Sequence, residues 1–330
     1  MKNFFFSILA VGAMVACTKS EVKYEGESEI AFSPVASTVT KANVMHAIDG
    51  TVYPAAETFK VWGYWQLLDA GNDNAAFTDA TTYIDAKQFA KAVDGTLWRG
   101  AAKPYYWPKT GSMVFACLSP DDAPVTNLTH DVVTDNFRFD FAGTANTAET
   151  VDIMWSNTTN SYTENTAAAG VPVTFNHALS WITFKVKGDA VTSNGGFVIN
   201  SLVMDQLYTG GTFTSNNKTW SSQKNPAAIN VFTGSPRNLT TDYAVIEDVP
   251  AGTLVLPQDY LLNKNYTATI KFTNTLGDTN INETVTLDLG RGWEIGKHYT
   301  YYITFTATEI LIAPEVTDWV EVDPAGAYVF

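Results

Sequence analysis

The chain has 330 residues, and its 20 basic against 34 acidic residues give a formal net charge of −14. A chain this acidic is a poor partner for nucleic acids and anionic lipid headgroups, because its overall field repels both. Only 16% of the residues are charged and 13% are aromatic, a composition typical of half-buried strands joined by polar turns.

The N-terminus predicts an export signal. Lys2 precedes an apolar run over residues 4–15, which is shorter than the ~20 residues that a transmembrane helix needs. The run ends in Met14-Val15-Ala16-Cys17, which resembles a bacterial lipobox. We therefore expect a lipoprotein signal peptide over residues 1–16 and lipidation of Cys17, with palmitate among the acyl chains that anchor the protein stably in the outer membrane, at the cell surface.

The segment after Cys17 is polar and charged, so residues 17–28 are predicted to be a flexible tether. The second cysteine, Cys117, lies in an apolar run and is predicted to be a small buried hydrophobe. With Cys17 lipidated, the chain has no cysteines for a disulfide framework or a cysteine-based zinc site.

The remaining sequence predicts an all-β protein. Short segments of alternating apolar and polar residues recur at regular spacing, a pattern typical of β-sandwiches. One stretch, residues 83–93, is predicted to be a short helix. The predicted strands are 29–33, 59–65, 112–118, 173–175, 181–186, 243–249, 266–272, 284–287, 298–306 and 316–322.

A single boundary divides this pattern into two predicted domains. Residues 161–172 are rich in Thr, Ala, Asn and Gly and end in a proline just before the next strand. The sequence therefore predicts an N-terminal β-sandwich over residues 29–170 and a C-terminal one over residues 171–330.

No catalytic or metal motif stands out. The four histidines, His46, His130, His177 and His298, lie in no H-E-x-x-H motif, and no G-x-S-x-G elbow is present. Carboxylates are abundant, but no local context singles out a glycosidase pair. Residues 69–74 crowd Asp and Asn side chains without the glutamate of an EF-hand, as turns often do. We predict no enzyme activity, no cofactor and no metal.

An aromatic segment leaves a second function open. Trp62, Tyr64 and Trp65 stand on alternating faces of a predicted strand, so they belong either to the core or to a surface that stacks on a sugar. A shared exposed face would favour the alternative function, a surface glycan-binding lipoprotein.

Several motifs, taken in order along nearly the whole chain, resemble the fimbrillin family (Mfa-like, FimA-like) of Bacteroidetes fimbrial subunits and pilin-like lipoproteins. They are Thr40-Lys41-Ala42, Phe59-Lys60-Val61-Trp62-Gly63-Tyr64, Tyr106-Trp107-Pro108, Val173-Thr174-Phe175-Asn176-His177-Ala178-Leu179, Leu256-Pro257-Gln258, Trp293-Glu294-Ile295-Gly296-Lys297-His298-Tyr299 and Val316-Thr317-Asp318-Trp319.

The resemblance implies two tandem transthyretin-like β-sandwich domains. It also implies a structural or adhesive role in a cell-surface fimbrium, as a stalk, anchor or tip subunit. The implied partners are other fimbrial subunits and a ligand on a host or bacterial surface. Family members polymerise by strand exchange: a trypsin-like protease releases the first strand, and a strand of the next subunit takes its place.

Carried over to this sequence, the scheme names three groups of residues. The leaving strand would present Ile30 and Phe32 on one face, and the cut would follow Lys41. The best-known members are cut after an arginine, whereas the first arginine of this chain is Arg99, far beyond the first strand. A chain that is not cut would be an anchor or accessory subunit. The donor strand would present five C-terminal apolar residues, Ile310, Ile312, Val316, Val320 and Val322.

Overall fold

The structure, a computed structural model, describes residues 28–36, 53–67, 77–93, 95–143, 151–158, 160–248, 252–258, 265–277 and 279–318. Within these ranges the chain is all-β, as the sequence predicts, and it contains strands and turns but no helix. None of the described residues forms a helix long and apolar enough to cross a membrane. The predicted signal peptide, Cys17, Lys41, the loop 69–74, Val320 and Val322 lie outside the described residues.

The strands of this part of the chain are β1 (Phe32–Ala36), β2 (Phe59–Gln66), β3 (Thr81–Lys91), β4 (Trp98–Gly100), β5 (Ser112–Ser119), β6 (Val125–Asp131), β7 (Asn136–Ala142), β8 (Met154–Asn157), β9 (Val171–His177), β10 (Ser180–Gly188), β11 (Phe197–Thr214), β12 (Thr219–Phe232), β13 (Arg237–Asn238), β14 (Ala244–Val245), β15 (Thr253–Val255), β16 (Asn265–Asn274), β17 (Ile281–Arg291), β18 (Lys297–Phe305) and β19 (Ile310–Asp318).

Seven of these strands close into a barrel in the order β1, β4, β3, β2, β5, β8, β9. Strand β1 completes the ring, because it pairs antiparallel with β4 and parallel with β9. Alternation along each strand turns every second side chain inward. The barrel core that results includes Ile30, Phe32, Phe59, Phe89, Phe115 and Phe175, all buried.

The long strand β11 organises a second sheet, in which β17, β16, β11, β7 and β6 lie side by side. Residues 197–205 of β11 pair with β16, and residues 210–214 pair with β7. Strand β12 runs antiparallel along most of β11. One strand therefore holds together a hairpin from the first half of the chain, β6–β7, and a hairpin from the second half, β16–β17.

A third sheet contains β14, β10, β18 and β19 in that order, with β15 also paired to β10. The central pair, β10 and β18, is parallel, and β19 is antiparallel to β18 along all of its nine residues. Ile182 and Phe184 of β10 face the C-terminal core, where they meet Leu202, Phe272 and Tyr301.

Between these two cores lies a middle core. Trp62 and Tyr64 project from the outside of the barrel into it and meet Phe137 of β7, Trp181 of β10 and Phe213 of β11. The middle core thus draws on residues from both sides of position 170. The division of the chain into two domains at residue 170 stays a prediction, and strand β9, just after that position, pairs within the barrel sheet.

The prediction of a helix over residues 83–93 is wrong, because most of this stretch forms β3. Ala86 adopts a left-handed backbone conformation, with φ +48°, at a register shift between β2 and β3. The shift places the two buried apolar residues, Ile84 and Phe89, five positions apart. A β-bulge interrupts the period of two in this way, and the interrupted pattern is easily mistaken for a helical one.

Candidate assembly site

The segment 28–36 is paired on both of its edges. At its start, the Ile30 N–H donates to the Tyr105 carbonyl at 2.6 Å, and the Trp107 N–H donates to the Ser28 carbonyl at 3.1 Å. Further along, β1 pairs with β9 from Phe32 opposite Val171 to Ala36 opposite Phe175. The barrel sheet is closed only while this segment is in place.

Two side chains of the predicted leaving strand lie in the barrel core. Ile30 and Phe32 are both fully buried. The Phe32 ring stands edge-on to Phe59, Phe89 and Phe115, with centroid distances of 5.9, 5.0 and 5.0 Å. Burial of a side chain of this size contributes roughly 1.5–3 kcal/mol, and edge-on aromatic pairs add to it. Phe32 is therefore an apolar anchor of β1.

The backbone of β1 passes very close to the turn that precedes β9. Gly170 has φ +92°, and a Cβ there would lie 2.9 Å from Leu97 Cδ2 and 3.3 Å from the Ser33 nitrogen. Only glycine combines this backbone conformation with so close an approach. The turn is thus shaped to receive a strand in the position of β1.

The start of the segment is held by an exposed ion pair beside a cavity. Arg99 Nη1 lies 2.7 Å from Glu29 Oε2, and both side chains are partly exposed. Such a pair contributes about 0–1 kcal/mol. A cavity of about 410 Å³ opens next to it, lined by Ser28, Trp107 and Glu164 among others. The first arginine of the chain therefore contacts the N-terminal end of the strand.

The described part of the predicted donor, β19, is the last strand of the third sheet. Ile310 and Ile312 pack against the C-terminal core, whereas Leu311 and Val316 are 50% and 53% exposed. The outer edge of β19 has no partner strand among the described residues. An unpaired edge that carries apolar side chains is suited to pairing with another chain.

The aromatic segment of β2 lies mostly inside the protein. Trp62 and Tyr64 are 7% and 6% exposed, and the Trp62 ring packs 5.3 Å from Phe137. Burial raises the pKa of Tyr64, whose hydroxyl lies 3.0 Å from His130 Nδ1. Trp65 points away from them and donates its indole N–H to the Thr110 carbonyl at 2.6 Å. The three rings do not share the exposed face that the alternative, glycan-binding function would need.

The buried histidines are packed in structural pairs. His177 Nδ1 lies 3.0 Å from Asp152 Oδ2, with both side chains buried. His298 stacks on Trp181 at 3.7 Å between centroids, and burial lowers the pKa of His298 to about 4. Across the described ranges, no group of three or more His, Cys, Asp or Glu side chains could hold a metal ion.

Comparison with known proteins decides the family. A model of the fimbrillin-like family matches residues 55–319. The chain belongs to the fimbrillin-like family. This confirms the resemblance found in the sequence and places the chain among fimbrial and cell-adhesion proteins. None of the curated proteins matches it.

Solved structures share the fimbrillin-like fold of this chain. A fimbrial protein from Bacteroides vulgatus ATCC 8482 superposes with a TM-score of 0.65 at 15% identity, covering 88% of this chain and 99% of the other. A candidate cell adhesion protein from Bacteroides uniformis ATCC 8492 has a TM-score of 0.51 at 15% identity, covering 90% and 100%. At such low identity the likeness concerns the fold alone.

Proposed function

We propose that this fimbrillin-like chain is a structural or adhesive subunit of a cell-surface fimbrium that joins its neighbours by β-strand exchange. The observation that carries the proposal is the segment 28–36, which closes the barrel and buries Ile30 and Phe32. Family membership supports the fimbrial role.

Loss of the segment would create an acceptor groove. Strands β4 and β9 would each lose a partner, and the pocket of Phe59, Phe89 and Phe115 would lose the Phe32 ring. An extended segment with apolar residues at alternate positions repairs both defects, since backbone pairing supplies affinity and the pocket supplies specificity.

The other parts of the scheme come from the sequence. Cys17 carries the lipid anchor that holds the subunit in the outer membrane, and a cut after Lys41 releases the segment 28–36. Of the five predicted donor residues, Ile310 and Ile312 already pack against the subunit's own core, so the proposed donor is the end of the C-terminal region with Val316, Val320 and Val322. The partners of the protein in this scheme are other fimbrial subunits.

Limited proteolysis tests this assignment. Purified protein without residues 1–17 is treated with trypsin at low ratio, and the new N-terminus and any SDS-resistant ladder are recorded. We expect a cut after Lys41, loss of the segment 28–36 and formation of a ladder.

The matched control is Lys41→Gln, which should remain uncut at this position and monomeric. A second variant that lacks residues 319–330 should be cut normally without forming a ladder, since it lacks part of the donor. Wild-type protein that stays whole and monomeric would overturn a stalk role and favour an anchor or tip.

A further inference from the structure

The exposed face of the third sheet carries a compact group of lysine and tyrosine side chains, which we call the lysine–tyrosine patch: Lys185, Lys187, Tyr243 and Tyr302. Lys187 Nζ lies 4.4 Å from the centre of the Tyr243 ring, and Lys185 Nζ lies 5.5 Å from that of Tyr302. The two rings meet edge to face at 4.9 Å. The four side chains therefore form one continuous surface.

The patch follows from alternation along β10 and β18. Phe184 and Val186 of β10 face the C-terminal core, so Lys185 and Lys187 face outward. Parallel pairing sets Lys185 beside Tyr302 and Lys187 beside Thr304. The sheet thus fixes the spacing of the lysines and one of the rings.

Hydrogen bonds hold both rings in place. The Tyr243 hydroxyl lies 2.8 Å from Thr304 Oγ1, and the Tyr302 hydroxyl donates to Glu315 Oε2 at 2.9 Å. Because these hydroxyls are already bonded and a lysine lies over one face of each ring, a ligand would meet the carbon edges and faces that the lysines leave uncovered. Exposed Val245 and Leu311 extend this apolar rim.

The charge of the patch contrasts with that of the chain. Three basic side chains elsewhere in the described ranges pair with carboxylates: Arg99 with Glu29, Arg237 with Asp248 and Lys297 with Asp318. In the part of the chain that the structure describes, neither Lys185 nor Lys187 has a carboxylate within 4 Å. Lys185 and Lys187 stand two positions apart on the outward face of β10 without such partners, in a chain of net charge −14, and are suited to binding an external anion. The one carboxylate bonded to the patch, Glu315, accepts from the Tyr302 hydroxyl.

We propose that the lysine–tyrosine patch binds an acidic sugar, a saccharide unit that bears a carboxylate. The carboxylate would lie between the two ammonium groups, and the C–H face of the sugar would rest on the tyrosines and their apolar rim. A stable protein partner would need some 20–30 residues on each side, whereas the patch is four side chains. A long polyanion would be repelled by the net charge of the chain.

This inference does not depend on strand exchange, because it needs only the folded subunit. It assigns an adhesive function to a different surface from the aromatic segment of β2.

Saturation-transfer NMR tests the patch. The folded protein without residues 1–17 is titrated at low salt with D-glucuronate and, as a neutral match, with D-glucose. We expect saturation transfer to glucuronate and little to glucose. Lys187→Gln should weaken glucuronate binding by roughly tenfold, since it removes one charge-assisted contact, and Tyr243→Ala should also weaken it.

Two controls make the result decisive. Lys271→Gln removes the same charge from the exposed face of β16 and should leave binding unchanged, as should Tyr243→Phe, which keeps the ring. Equal binding of glucose, equal binding of acetate, or equal weakening by Lys271→Gln would each overturn the proposal. So would a dimer in solution that Lys187→Gln dissociates, because the patch would then be a protein contact.

Discussion

At the scale of single residues, Glu247 is the most unusual titratable group of the C-terminal half. It is 2% exposed, the Phe184 N–H donates to one of its carboxyl oxygens, and the other oxygen is buried with no partner among the described residues. Burial raises the pKa of Glu247 to about 8, although the bond from Phe184 opposes the shift. The folded protein therefore favours the protonated carboxyl.

This shift gives the free energy of unfolding a pH dependence. The protonated Glu247 carboxyl makes its full contribution to the free energy of unfolding below the ordinary pKa of 4.5, and this contribution is lost as the pH rises to about 8. Since one pKa unit corresponds to ~1.4 kcal/mol, Glu247→Gln should raise the Tm by several degrees at pH 8.5 and change it little at pH 5. Thermal unfolding followed by circular dichroism measures both. Glu309→Gln, at an exposed turn, is the control, and equal effects of the two variants would contradict the explanation.

At the scale of the strand, the anchoring of β1 depends on Phe32. Phe32→Ala leaves a cavity among Phe59, Phe89 and Phe115 and should lower the free energy of unfolding by about 3–5 kcal/mol. Leu311→Ala, at a half-exposed position of β19, should change it by less than about 0.5 kcal/mol. Denaturant titration measures both, and similar losses would show that β1 does not depend on this ring.

The elements also show what the sequence could and could not predict. Strands β2, β5, β16 and β18 were predictable because their apolar residues alternate or run without interruption. The alternating Phe137, Phe139 and Phe141 of β7 gave an equally clear signal that the predictions above do not use. Burial was one of the two alternatives for Trp62 and Tyr64, but the core that buries them was not predictable, because the middle core covers the outside of the barrel. The lysine–tyrosine patch likewise combines strands that are distant in sequence.

At the scale of the whole molecule, the middle core and β11 join the two halves of the chain. Phe213 of β11 packs with Trp155 from the first half and Trp220 from the second. A chain restricted to residues 29–170 would lose β9, β11 and the second-half side of the middle core. We expect it to expose apolar surface, bind the dye ANS strongly and unfold without a sharp transition.

The intact chain should instead unfold in a single calorimetric transition, because both halves share the contacts of the middle core. Phe213→Ala weakens these shared contacts and should shift the whole transition to lower temperature. Two separate transitions, of which Phe213→Ala moves only one, would contradict this coupling and would support independent domains divided near residue 170.

The parallel pairing of β1 with β9 has a mechanical consequence. Tension between the N-terminus and the strands that follow β9 pulls these two neighbours in opposite directions along their own axes. Five paired positions, from Phe32 to Ala36, then resist the pull together, whereas a peeling force would break them one after another. With the proposed lipid anchor at Cys17, a subunit dragged by flow would resist extension at this junction. The same strand could still be peeled off from one end once the chain beyond it is cut.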